Sequence, residues 1–242
     1  MVTCILFDLG GTLLDFYNPE RSARLYARIF NKHGFRVSLS QVRSVREREF
    51  LTQMKENYGN AKRHGKQHML MERVLTALKC SVSDNELQNM AREYGSFMQR
   101  FYHLYPGTKS TLLKLKKDRM RFAIVSNGNR AWANDQLERF SIRSLLDAVI
   151  VSDDVGKEKS DLVPFEVALK ELGVKPGECM MIGDRLDEDM HAKKLGILTC
   201  HAAYSYQLPV VGEAIKPDFV IHDIRGLPSV VRKLNSTGRR GK

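Results

Sequence analysis

The sequence predicts an α/β fold in which a parallel sheet is covered by helices on both faces and an all-helical segment is inserted after the first strand. Three observations carry this. Short apolar runs alternate with amphipathic segments through the second half of the chain, one isolated apolar run opens it, and the stretch between is charged, helical in rhythm and without a convincing strand. Strand and helix in alternation imply parallel strands buried on both faces, and the opening run would join the same sheet. On this reading residues 1–14 and 106–242 form the α/β core and residues 15–105 a helical cap.

The first element is Thr3-Cys4-Ile5-Leu6-Phe7, an apolar run ending in Asp8 and followed by Gly10 and Gly11, which reads as a buried strand running into a loop. In the insert, Tyr26, Ile29, Phe30 and His33 recur at helical steps. So do Leu87, Met90, Tyr94, Phe97, Met98 and Phe101, predicting an amphipathic helix between Ser83 and His103. Gly34, Gly59 and Gly65 mark breaks between helices, Asp15 lies where the chain leaves the core, and Pro106-Gly107 ends the last helix of the insert. The remaining strands are expected at Phe122 to Val125, Asp147 to Val151, Cys179 to Ile182 and Ile197 to Cys200.

Composition narrows the classes. With 43% hydrophobic and 28% charged residues, the 242-residue chain has the balance of a soluble domain, and no apolar run approaches a membrane span. Asp8 interrupts the opening run too early for a secretory signal, so the cytoplasm is the expected location. Cys4, Cys80, Cys179 and Cys200 form no C-x-x-C pair, and three lie in predicted strands, which predicts reduced thiols. The net charge of +11 is dispersed, which argues against a nucleic-acid partner; only the tail from Thr237 to Lys242 is locally basic. The sequence carries no signal for oligomeric state.

In open α/β sheets ligands bind beyond the carboxyl ends of the strands. Collected there are Asp8 with Gly10, Gly11 and Thr12; Ser126 with Asn127 and Gly128; Lys159 in a loop; and Gly183-Asp184 with Asp189. Taken singly, each has an ordinary explanation as a turn, a helix start or a surface charge. Together, their order and spacing resemble the four motifs of the haloacid dehalogenase superfamily. The likeness runs from Ile5 to about Phe219 and is most specific at Val155-Gly156 leading to Lys159 and at Ile182 through Asp189.

That resemblance implies a Rossmann-like core and a magnesium-dependent phosphatase acting on a small anionic phosphorylated substrate. It casts Asp8 as the nucleophile that forms an aspartyl phosphate. Lys159 would pair with that nucleophile and with the phosphate, and Ser126 and Asn127, with neighbouring amides, would hold the phosphate. Asp8, the Gly10 carbonyl and Asp184 would ligate the magnesium ion, with Asp189 orienting that shell. Phosphoryl transfer needs such a set, because catalysis is mostly in-line positioning and cancellation of oxygen charge. The segment 15–105 takes the place of the substrate-selecting cap. It holds 16 Lys and Arg against 9 Asp and Glu, an excess of 7 out of the chain's 11, which would favour anionic substrates.

One position departs from the pattern. Phosphatases of this superfamily usually carry a second Asp two residues after the nucleophile as general acid, and here that residue is Gly10. Three readings follow. The chain is a phosphatase in which a cap residue or water moves the proton, with His33, His64, His68 and His103 as candidates. It is a metal-independent 2-haloacid dehalogenase, whose leaving halide needs no proton. Or it is a catalytically weakened binding or regulatory protein. Retention of Asp8, Lys159, Asp184 and Asp189 favours the first. The physiological substrate and the cap residues that choose it are not legible.

Overall fold

Four consecutive residues without solvent exposure, Cys4–Phe7, form β1 in the computed structural model, which describes residues 1–60 and 67–237. A short β2 (Leu14–Asp15) leads into the helices α1 (Pro19–Lys32), α2 (Leu39–Glu56), α3 (Gln67–Ala77) and α4 (Asp84–Gln99). The chain returns through β3 (His103–Leu104) and alternates through α5 (Thr108–Lys117), β4 (Arg121–Ser126), α6 (Arg130–Arg139), β5 (Ala148–Val151), α7 (Ser152–Val155), α8 (Val163–Leu172), β6 (Cys179–Gly183), β7 (Leu198–Ala202), β8 (Phe219–Ile221) and α9 (Leu227–Thr237). Two compact units result. One holds Met1–Asp15 and the chain from His103 onward, and the other holds Phe16–Tyr58 and most of the chain up to Tyr102.

The sheet of the first unit has the order β5-β4-β1-β6-β7-β8, and every neighbouring pair is parallel. Its strands are nearly continuous apolar runs because both faces are covered. Leu6, Val125, Ile150 and Met181 pack with Phe165 and Ala168 of α8 on one face. The register decides where chemistry can occur. Phe7 pairs with Ile124 of β4 and with Ile182 of β6, so β1, β4 and β6 end side by side and deliver Asp8, Ser126 and Asp184 to one edge.

The second unit is built by the four helices α1 to α4, of which apolar periodicity in the sequence marks α1 and α4. Asn18, Ser38 and Ser83 cap α1, α2 and α4 by accepting backbone amide bonds, and Gly34, at φ 90°, breaks the chain after α1. Tyr26 stands at the centre, edge-on to Phe30 at 5.5 Å and to Tyr94 at 4.9 Å, and the Tyr94 and Ser22 hydroxyls share a hydrogen bond of 2.7 Å. The buried Arg46 of α2 lies over three rings, 5.8 Å from Tyr17, 5.7 Å from Tyr26 and 5.5 Å from Phe50.

Several expectations change at this level. Asp15 and His103 face each other in the β2–β3 ribbon, their side chains 3.3 Å apart, so His103 belongs to the α/β unit and not to the insert. Phe101, expected on the packed face of α4, is 40% exposed beyond the end of the helix and carries the Arg21 guanidinium at 4.7 Å. Strand β8 was not foreseen, because three residues at a sheet edge, with Val220 outward, give too short a pattern. The cysteines are free thiols, with Cys4, Cys179 and Cys200 buried in strands and Cys80 half-buried. Among the described residues, no helix is long and apolar enough to cross a membrane. His64, Gly65 and the tail from Gly238 lie outside the described residues.

Candidate active site at the strand tips

Asp8 leaves the end of β1 with 5% of its surface exposed, held by its backbone amide on the Ile182 carbonyl at 2.8 Å. Its two carboxylate oxygens are engaged separately. Oδ1 accepts from the Lys159 ammonium at 2.7 Å and Oδ2 from the Thr12 hydroxyl at 3.3 Å. The loop after it is tight, since the Leu13 amide returns to the Leu9 carbonyl at 3.0 Å and the Gly11 amide reaches the Leu14 carbonyl at 2.8 Å. Gly11 sits at φ 91°, and a Cβ there would fall 2.4 Å from Asp184 Oδ2, so conformation and space both require glycine. Gly10 is not among the residues in the left-handed region.

Lys159, 1% exposed, is brought in by a loop that turns at Gly156 (φ 75°) and continues as a single turn of 3₁₀ helix, Lys159–Asp161. Its ammonium lies between the Asp8 and Asp189 carboxylates and bonds both. The Asn127 carboxamide fixes the lysine's backbone, accepting the Lys159 amide at 2.9 Å while donating to Glu188 at 2.8 Å. Asn127 thus has both ends of its side chain committed to bracing the loops, a role the sequence did not suggest. Ser126 ends β4 nearly buried.

Asp189 has no solvent exposure, and its second oxygen accepts the Arg185 amide at 2.8 Å. Gly183 makes room for it: a Cβ at residue 183 would lie 2.1 Å from the Asp189 carboxyl carbon. We therefore expect Gly183→Ala to displace that carboxylate, lowering stability by about 1–3 kcal/mol and weakening metal affinity together. Titration of the variant with magnesium, followed by melting temperature, checks this.

Asp8, Asp184 and Asp189 can each direct an oxygen into a sphere in which all three lie within 4.8 Å of one another. Among the described residues, Asp184 Oδ1 is buried without a hydrogen-bond partner, whereas Oδ2 has only the Ser205 hydroxyl at 3.5 Å. A buried carboxylate oxygen left bare is costly unless a cation completes it. Three hard oxygen donors around that atom suit magnesium, which could be held by Asp8, Asp184 and the Gly10 carbonyl, with Asp189 behind them. The electrostatics agree. Burial, then the charges of Asp8 and Asp189, drive Asp184 well above the ordinary carboxylate range. Burial raises Asp189 to about 7, although Lys159 opposes it. Burial works against the charge on Lys159, but Asp189, Asp8 and Glu188 outweigh it and hold the ammonium protonated.

A pH dependence follows for the metal-free protein. Asp189 binds its proton up to pH about 7 when folded and only to about 3.9 when unfolded. The folded state therefore holds more protons between those values, and stability falls as pH rises through that window. Magnesium should raise the melting temperature more at pH 8 than at pH 5, because at pH 5 it must displace a proton. Equal increments at the two pH values would show that Asp189 does not titrate there.

The loops carry a further set of contacts that sequence reasoning missed. Asp187, fully buried, accepts the Arg185 guanidinium at 2.8 Å and the Val211 and Gly212 amides at 2.7 and 3.0 Å. The Arg185 guanidinium also reaches the Pro209 carbonyl at 3.1 Å. These bonds tie the segment between β7 and β8 to the acidic loop. They bring the Tyr204 hydroxyl onto the Thr12 carbonyl at 2.7 Å and the Ser205 hydroxyl beside Asp184. The sequence offers Asp187 only as part of the stretch from Ile182 to Asp189, which does not name its partners.

Known proteins resemble this chain in sequence and in fold. The glyceraldehyde 3-phosphate phosphatase of Methanopyrus kandleri is 29% identical over 242 residues, covering 97% of this chain and 99% of its own. In structure, the HAD-hydrolase YfnB of Bacillus subtilis, solved bound to magnesium, superposes with a TM-score of 0.73 at 18% identity over 95% of this chain and 98% of its own. The L-2-haloacid dehalogenase of Xanthobacter autotrophicus gives 0.68 at 21% over 96% and 99%, so the fold is shared across two chemistries. The family described as haloacid dehalogenase-like hydrolase matches residues 2–195, which span the Asp8 loop, the Ser126 tip, the Lys159 loop and the acidic loop. The chain belongs to the haloacid dehalogenase-like hydrolases.

Proposed function

We propose that the protein is a magnesium-dependent phosphatase that releases phosphate from a small anionic phosphorylated molecule through an aspartyl phosphate on Asp8. The observation that carries this reading is the buried cluster in which Lys159 orients Asp8 while Asp184 leaves an oxygen bare beside it. A dehalogenase needs the nucleophile and the lysine but no cation site, and the bare oxygen favours phosphate over halide. The phosphatase relative supports the same choice and points to a three-carbon ester among the first substrates to try.

In the forward step an Asp8 oxygen attacks phosphorus, the ester bond breaks, and the leaving oxygen takes the electron pair. Thr12 and Lys159 hold the carboxylate in one rotamer, and Lys159 stays charged to lessen repulsion between Asp8 and the incoming dianion. Ser126 and backbone amides at the β4 tip receive phosphate oxygens, while the Asn127 side chain supports Lys159. Magnesium bound at this cluster would neutralise phosphoryl charge and align it with Asp8. The helical unit between Asp15 and His103 would act as the cap that selects the substrate, and its excess of Lys and Arg favours an anion. The cytoplasm is the proposed location. Phosphate release from acyl, aryl and alkyl phosphates, with magnesium or chelator and with Asp8→Asn beside the wild type, tests the assignment. No release from any class would overturn it.

A further inference from the structure

Between β7 and β8 the chain runs through residues 203–218 without helix or strand, so no ladder fixes its course. This strap nevertheless touches three loops of the site. Leaving β7, it sets the Tyr204 hydroxyl on the Thr12 carbonyl at 2.7 Å and the Ser205 hydroxyl 3.5 Å from Asp184 Oδ2. Further on, it presents the Glu213 carbonyl to the His191 ring at 3.0 Å, and the same ring lies 3.3 Å from the Ser160 carbonyl, next to Lys159. Ordering an irregular segment costs conformational entropy residue by residue, so something must fasten it.

Asp187 is the fastening. Fully buried, it accepts the Val211 and Gly212 amides on Oδ2 at 2.7 and 3.0 Å, and the Arg185 guanidinium lies against both of its oxygens, at 2.7 and 2.8 Å. Arg185 in turn donates to the Pro209 carbonyl at 3.1 Å, and the Ile215 amide donates to the Leu186 carbonyl at 2.9 Å. The strap is thereby sewn onto residues 185–187, which lie between Asp184 and Asp189 in the chain. Bonds from a carboxylate to amides and a guanidinium belong to the strong class, and here they are shielded from water. The Arg185 backbone adds a second tie, because its amide donates to Asp189 Oδ2 at 2.8 Å.

We propose that Asp187 is a positioning residue of the magnesium site: by fastening the strap it keeps the Ser205 hydroxyl against Asp184 and so sets how that carboxylate meets the ion. The proposal rests on the phosphatase reading and its magnesium. Ser205 donates to Oδ2, which leaves Oδ1, bare among the described residues, for the cation. A hydrogen bond to a ligand fixes the ligand's orientation without touching the metal, and losing such a bond costs about 10–100-fold in metal affinity.

The test is magnesium affinity, measured by isothermal titration calorimetry at one pH on Asp187→Asn, Ser205→Ala and the double variant beside the wild type, with a thermal melt of each. Asparagine keeps an oxygen for the strap amides but removes the charge that holds Arg185, so the strap loosens without being deleted. Each single variant should bind magnesium about tenfold more weakly. The double variant should be no weaker than Asp187→Asn alone, because both substitutions remove the same contact. A lower melting temperature with unchanged affinity in Asp187→Asn would make Asp187 a packing residue, and a loss of about a hundredfold in the double variant would make the two side chains independent; either overturns the proposal and leaves the phosphatase reading intact. Should Asp187→Asn fail to fold, Ser205→Ala beside Ser205→Thr decides: affinity lost with alanine and kept with threonine supports the strap's role, and equal affinity in both overturns it. Wild-type protein that takes up no magnesium would overturn the phosphatase reading and the proposal together.

Discussion

Asp8→Asn should abolish phosphate release, by about 10⁴-fold or more, while leaving the protein folded. The amide has the same shape, and its oxygen can still accept from Thr12 or Lys159, so the neighbours that orient the wild-type side chain keep their positions. An amide oxygen does not form a phosphoanhydride that water can then cleave, so the first step stops. Stability should change little, because the substitution removes one negative charge from a cluster whose carboxylates lie within 4.8 Å of one another and which Lys159 alone does not balance. Single-turnover phosphate release beside a thermal melt separates the two effects. Activity within a hundredfold of wild type would mean that another group attacks phosphorus.

Lys159→Met should be damaging in two ways at once. The side chain is 1% exposed and bonds both Asp8 and Asp189, so methionine fills the space but leaves two buried carboxylates facing each other. Breaking a buried ion pair from one side costs about 3–5 kcal/mol, more than the lysine's own desolvation returns. Turnover should fall by about 10²–10³ through lost charge at the phosphate. Because the damage is an excess of negative charge, magnesium should recover part of the stability but none of the lost turnover. Urea unfolding of the variant in chelator and in magnesium checks the first part. A variant as stable as wild type in chelator would show that the ammonium is not what balances the two carboxylates.

The sequence alone determined the sheet and the chemical set at its edge. Buried parallel strands write continuous apolar runs, so five of the six strands were legible, and Asp8, Ser126 and Asp184 could be placed because each stands where such a run stops. Lys159 and Asp189 were legible only through their order along the chain. Tertiary structure decided everything that depends on which distant segments meet. The bare oxygen of Asp184, the commitment of Asn127 to Lys159 and Glu188, the ring cage of Arg46 and the Tyr204 hydroxyl on the Thr12 carbonyl each depend on residues far apart in sequence. Periodicity reports how a residue faces along its own element. It carries no record of the partner across the gap, and at this edge the partner sets whether a carboxylate holds a proton, a lysine or a metal.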